Sequence, residues 1–119
     1  MSDFATILRE KRRASGLSQR QLAERAGVDF SYISKLENGR LPAPAADTIL
    51  RLSEILGCPS EELLSPAKKL PSAVEDGITS EPAALRFLDD ASRLRLSADE
   101  LEQLRGTLHG LRSDDKGGR

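Results

Sequence analysis

The sequence predicts an all-helical protein, and three observations carry that expectation. With no Trp, one Tyr and three Phe in 119 residues, any core must be built from Leu, Ile, Val and Ala, a set better suited to short helices than to strands. Apolar residues recur at steps of three and four along most of the chain, and glycines fall where the runs stop. Ser18 with Gln21, and Ser97 with Glu100, are capping-box pairs placed just before two of those runs.

Each element follows in order. Phe4, Ile7 and Leu8 mark a first helix over residues 4–14, with Asp3 or Ser2 placed to cap it and Gly16 to stop it. Ser18 and Gln21 open a second helix of about two turns, whose apolar face is Leu22, Ala23 and Ala26 and which ends at Gly27. Asp29 or Ser31 starts a third, with Ile33 and Leu36 inward and Asn38-Gly39 at its end. Pro42 and Pro44 hold the next stretch extended, and a longer helix runs from about Ala45 to Leu56 with Ile49, Leu52, Ile55 and Leu56 on one side. After Gly57, Ser60 is expected to cap a short fifth helix bearing Leu63 and Leu64.

Composition excludes several function classes. No stretch approaches the ~20 apolar residues that cross a bilayer, and the first residues lack a basic-then-apolar signal pattern, so a cytoplasmic protein with no membrane partner is expected. The single Cys58 has no disulfide partner within the chain, and with His109 as the one histidine there is no Cys/His metal cluster; no metal and no cofactor are expected. Cys58 beside Pro59 suits a small buried residue, and His109 between Leu108 and Gly110 suits an ordinary helix face with no partnered nucleophile, so no enzyme activity is expected. The net charge of -1 hides an uneven distribution. Residues 1–40 hold eight basic side chains (Arg9, Lys11, Arg12, Arg13, Arg20, Arg25, Lys35, Arg40) against five acidic ones, which permits a phosphate-facing surface at the front of the chain.

Helices two and three with the turn at Gly27-Val28 have the form of a helix-turn-helix. Leu17-Ser18-Gln19-Arg20-Gln21-Leu22-Ala23, then Ala26-Gly27-Val28, then Tyr32-Ile33-Ser34-Lys35-Leu36-Glu37-Asn38-Gly39-Arg40 resembles the helix-turn-helix of the Cro/C1 (XRE) family of bacterial and phage regulators. The resemblance covers roughly the first 64 residues. It implies a five-helix, lambda repressor-like DNA-binding domain over residues 1–66 and sequence-specific binding to double-stranded operator DNA. It also implies that Gln19 meets the backbone or a base edge, and that Arg20, Asn38 and Arg40, with Arg13 or Arg12, reach phosphates. The exposed residues of helix three supply the base-facing set: Lys35 for guanine, Ser31 and Ser34 for either acceptor or donor, and Phe30 for a thymine methyl. Many relatives carry Gln or another polar residue where this chain has Phe30, so no operator sequence transfers. Plain alternatives stand beside these roles: solvated charge for Lys35, Arg40 and the Arg12-Arg13 pair, and packing for Tyr32. Glu37 is read as support for the helix end or as a partner for a nearby Arg, and is left outside the contact set.

Beyond Leu64 the turn-rich stretch with Pro66 and Pro71 has no periodicity, and residues 67–80 are expected to be a linker or extended arm. Residues 81–112 then read as a helical hairpin. Pro82 sits in a first turn, Leu85, Phe87, Leu88, Ala91 and Leu94 follow, and after the Ser97/Glu100 cap come Leu101, Leu104, Leu108 and Leu111. Residues 113–119 are expected to be a disordered tail. So small a unit needs something to pack on, either the first domain or a second copy, and the leucines Leu85, Leu88, Leu101, Leu104, Leu108 and Leu111 are assigned to dimerisation. A homodimer suits a palindromic operator with two half-sites. The resemblance further implies a repressor of its own and adjacent genes, of a kind that a metallopeptidase encoded nearby cuts. The alternative is an antitoxin whose C-terminal helices bind a toxin.

Overall fold

The computed structural model describes residues 3–117, with side chains to residue 112, and among these residues every regular element is a helix. The chain divides into two compact units, residues 1–76 and 77–119.

The first unit opens with α1 (Phe4–Ser15), capped by the Asp3 carboxylate, which accepts from the Thr6 amide at 2.9 Å, and closed by Gly16 in the left-handed region. Next comes α2 (Gln19–Ala26), with the full capping box: the Ser18 hydroxyl accepts from Gln21 N at 3.1 Å and the Gln21 side chain accepts from Ser18 N at 2.9 Å. Gly27, at φ 71°, turns the chain out of α2, and the carbonyls of Ala23 and Glu24 are satisfied at that turn. Asp29 caps α3 (Phe30–Glu37), and α4 (Ala46–Leu56) follows the proline segment.

Then comes α5 (Glu61–Ala67). Its start departs from expectation: the Ser60 side chain makes no cap hydrogen bond, because Ser60 already has right-handed helical backbone and the turn begins one residue earlier, at the Pro59 carbonyl that accepts from Glu62 N. The core is shared by all five helices. Phe4 and Leu8 of α1, Leu22, Ala23 and Ala26 of α2, Ile33 and Leu36 of α3, Ile49, Leu52 and Leu56 of α4, and Leu63 and Leu64 of α5 are buried together. These positions are the inward faces that the sequence periodicity picks out. Cys58 packs half-buried against this core, and burial pushes its thiol pKa up, which suits a small apolar filler.

The segment expected to be a linker, 67–80, contains a helix, α6 (Ser72–Thr79). Pro71 starts it by lending its carbonyl to Glu75 N at 2.9 Å, and its short apolar pair, Val74 and Ile78, is not buried. The second unit holds α7 (Pro82–Leu94) and α8 (Ala98–Gly117). The Ser97/Glu100 capping box is present in both directions at 3.1 and 2.9 Å. Helical backbone continues through Gly117 and so enters the segment expected to be disordered, whose last two residues lie outside the described ones.

The hairpin carries its leucines on an open face. Helices α7 and α8 are not among the closely packed pairs, and their leucines line an open groove of about 610 Å³. Phe87, Leu88 and Ala91 of α7 face Leu101, Leu104, Leu108 and Leu111 of α8 across it, while Leu85 does not line it.

Candidate nucleic-acid interface

The third helix is held from behind by a buried carboxylate. Glu37 lies one helical turn beyond Ile33, so it shares the inward face, and only 2% of it is exposed. Arg12 of α1 binds it with two charge-assisted hydrogen bonds, Nε to Oε2 at 2.6 Å and Nη2 to Oε1 at 3.0 Å. The carboxylate in turn raises the Arg12 pKa above its ordinary value, against the opposing effect of burial. Gln19 of α2 donates its amide to Oε1 at 3.0 Å, Arg12 Nη1 donates to the Leu17 carbonyl at 2.9 Å, and Arg9 Nη2 donates to the Glu37 carbonyl at 2.7 Å.

One carboxylate thus locks α1, the α1–α2 turn and the start of α2 to the end of α3. A half-satisfied version of this cluster would leave a charge unpaired in low dielectric, so its completeness fixes the orientation of α3 more than it adds net stability. The sequence reading paired Glu37 with a nearby Arg without identifying which. The signal that completes the assignment is helical phase, since a residue four after a core isoleucine is itself inward. Arg12 is therefore turned into the protein and drops out as the alternative to Arg13.

On the opposite side lies the outward surface. Ser31, Lys35, Asn38 and Arg40 are exposed, and Ser34 is half-buried with its hydroxyl 3.5 Å from the Asn38 side-chain amide. Arg20, the second residue of α2, is exposed, and its guanidinium stands 4.4 Å from the centre of the Phe30 ring. Phe30 is half-buried, one side against the core. Gln19 is also half-buried, its amide nitrogen taken by Glu37. Arg13 is exposed in the last turn of α1. The fold thus brings the α3 set and the start of α2 together at the elbow, while Arg13 comes from a different helix. Among the described residues, Arg13, Arg20, Lys35 and Arg40 form no ion pair, whereas Lys11 pairs with Glu62 and Arg12 with Glu37. Cations without ion pairs on α3, just after it and at the start of α2 make a surface able to meet anionic oxygens.

In the second unit, the six leucines assigned to dimerisation are 39–65% exposed: Leu85, Leu88, Leu101, Leu104, Leu108 and Leu111. No described helix is long and apolar enough to cross a membrane.

Residues 8–63 match the helix-turn-helix family. An uncharacterized HTH-type transcriptional regulator of Bacillus subtilis (strain 168), RghRB, is 40% identical over 76 residues, covering 64% of this chain and 55% of that protein. The HTH-type transcriptional repressor RghR of the same organism is 39% identical over 64 residues, covering 54% and 47%. A solved complex of SinR protein with SinI protein aligns at a TM-score of 0.49 and 26% identity, over 77% of this chain and 96% of that one. The chain spans about half the length of the curated relatives it matches. The elbow at Gly27, the caps of α2 and α3 and the buried Glu37 all lie within residues 8–63, over which the chain carries a helix-turn-helix domain of the Cro/C1 (XRE) type.

Proposed function

We propose that the chain is a sequence-specific DNA-binding transcriptional repressor that works as a homodimer on a two-fold operator near its own gene. The observation that carries the reading is the two-sidedness of α3. Its inward face is pinned by Ile33, Leu36 and the Glu37 cluster, and its outward face offers Ser31, Ser34 and Lys35 beside the unpaired Arg20 and Arg40. A helix fixed on one side and hydrogen-bonding on the other is what major-groove reading requires. In this reading Lys35, Ser31, Ser34 and Phe30 address base edges, and Arg13, Arg20, Asn38 and Arg40 address phosphates, with Gln19 at the groove edge. The relatives' designation as transcriptional regulators, and of RghR as a repressor, supports the same role.

An eight-residue recognition helix spans few base pairs, so useful specificity calls for two copies. The groove between α7 and α8 supports a second copy as the joining partner. Its lining is apolar apart from Glu102, Arg105 and Thr107, and Glu102 and Arg105 neutralise each other within α8, so the groove offers a second copy an apolar surface with no net charge. Release of repression by a metallopeptidase would act on the exposed connections around α6, separating the two units. The same groove filled by a toxin is the rival reading.

Footprinting the full chain on DNA upstream of its own gene, at two salt concentrations, tests the proposal. A protected palindrome whose affinity falls as salt rises is the expected result. No protection at either concentration, together with a monomer in sedimentation, would overturn it and turn attention to a toxin-like partner.

A further inference from the structure

Arg20 and Phe30 are ten residues apart, yet they meet because the Gly27 turn brings the first turn of α2 over the first residue of α3. The guanidinium lies over the ring, its carbon 4.4 Å from the ring centroid, close enough for the cation to rest on the π face. A guanidinium carries its five N–H donors in its own plane, so stacking occupies the face and leaves the donor edge open. Among the described residues Arg20 has no ion pair and no side-chain hydrogen bond, whereas its neighbour Gln19 has its amide nitrogen bound by Glu37. Phe30 is anchored against the core on its other side, so the ring is a fixed platform and Arg20 the part it orients.

We propose that the Arg20–Phe30 stack is a preassembled reader of a guanine edge, with Phe30 the positioning residue and Arg20 the group that touches DNA. The inference rests on the DNA-binding reading above and replaces the phosphate role given there to Arg20. Phe30 opens α3, and the N-terminal residues of a recognition helix are the ones that reach base edges. A flat, pre-oriented fork at that end matches the O6 and N7 acceptors of guanine, and the apolar ring edge beside it suits a pyrimidine methyl on the adjoining base pair. A flexible lysine or an unstacked arginine would lack the fixed plane.

The test uses the full chain and the duplex it selects from a random-sequence pool. Each guanine of that duplex is replaced in turn by 7-deazaguanine, which removes the N7 acceptor. The wild type is expected to lose about ten-fold in affinity at one guanine per half-site. Arg20→Lys and Phe30→Leu should each bind the parent duplex about ten-fold more weakly and ignore the replacement at that guanine, Phe30→Tyr should behave as wild type, and the double variant should be no weaker than either single one. The inference is overturned if Phe30→Leu keeps the wild-type response, if the two effects multiply, or if Arg20 variants weaken all duplexes alike with the guanine response intact, which would place Arg20 on phosphate. Should Phe30→Leu fail to fold, Arg20→Lys, a change at an exposed side chain, decides through the same guanine response. A wild type that selects no sequence and binds no duplex at low salt overturns the DNA-binding reading as well, a result independent of either residue.

Discussion

The two units obey the same local rules and arrive at different ends. Both contain a complete Ser-x-x-Gln/Glu capping box, at Ser18 and at Ser97, and both space apolar residues at three and four. In the first unit the apolar stripes of five helices converge, and Leu8, Leu22, Ile33, Ile49 and Leu63 are fully buried. In the second, no residue of α7 is buried, and Leu94, Leu108 and Leu111 are more than 60% exposed. Capping and periodicity make a helix; burial needs further helices at the right distance, which the second unit does not supply from its own sequence. The difference teaches that the first unit is complete in itself and that the second awaits a surface.

The largest effect that sharpens this contrast lies at the buried carboxylate. Arg12→Ala strands Glu37 without its cation and is expected to destabilise the first unit by about 3–5 kcal/mol in denaturant unfolding of the full chain. The double change Arg12→Met with Glu37→Leu should cost distinctly less, because no charge is then left unpaired. A smaller loss for Arg12→Ala than for the double variant would show that the cluster is not the lock described.

Next comes Ile33→Ala, a truncation at a fully buried site, with an expected loss of about 2–5 kcal/mol that does not depend on protein concentration. Leu104→Ala, at a position 39% exposed, should instead alter only the concentration-dependent part of unfolding. If both behaved alike, the distinction between a closed and an open unit would fail.

The caps give a finer comparison. Ser18→Ala should lower the stability of the first unit by about 1 kcal/mol, while Ser97→Ala should leave that transition unmoved and reduce helicity at the start of α8, read by circular dichroism and amide exchange. The smallest effect is a pH dependence. The Asp3 carboxylate, which caps α1, is held below its ordinary pKa chiefly by the hydrogen bond from the Thr6 amide. A depressed folded pKa means that the cap's contribution is fully present above the ordinary carboxylate pKa and is lost as pH falls from there through the lowered pKa of the folded state. Exchange of the Thr6 amide should therefore quicken, relative to the intrinsic rate, at acid pH and lose that dependence in Asp3→Asn.

What was legible in the sequence follows the same division. Helices α1 to α5 and their buried faces could be read because Gly16, Gly27 and Gly57 stop them and the core positions repeat at helical steps. The site was legible as far as outward residues of α3 are the complement of Ile33 and Leu36. Contacts that link distant positions were not: Arg12 to Glu37 spans 25 residues and Arg20 to Phe30 crosses the elbow, and neither leaves a local pattern. Helix α6 is hard to read because its apolar residues, Val74 and Ile78, are few and lie in a short run between Pro71 and Pro82, and the width of the groove because leucine spacing states which residues share a face without stating how far apart two helices stand.

The central claim is that the second unit joins two copies so that two first units read one operator. Its most direct test compares the full chain with its Leu104→Glu, Leu108→Glu variant, in sedimentation and in binding to the DNA upstream of its own gene. The account predicts a wild-type dimer protecting two half-sites about one helical turn apart. It predicts a monomeric variant with unchanged unfolding of the first unit and affinity weaker by about a hundred-fold or more. A variant that binds as tightly as the wild type, or a wild type that is monomeric both free and on DNA, would contradict it.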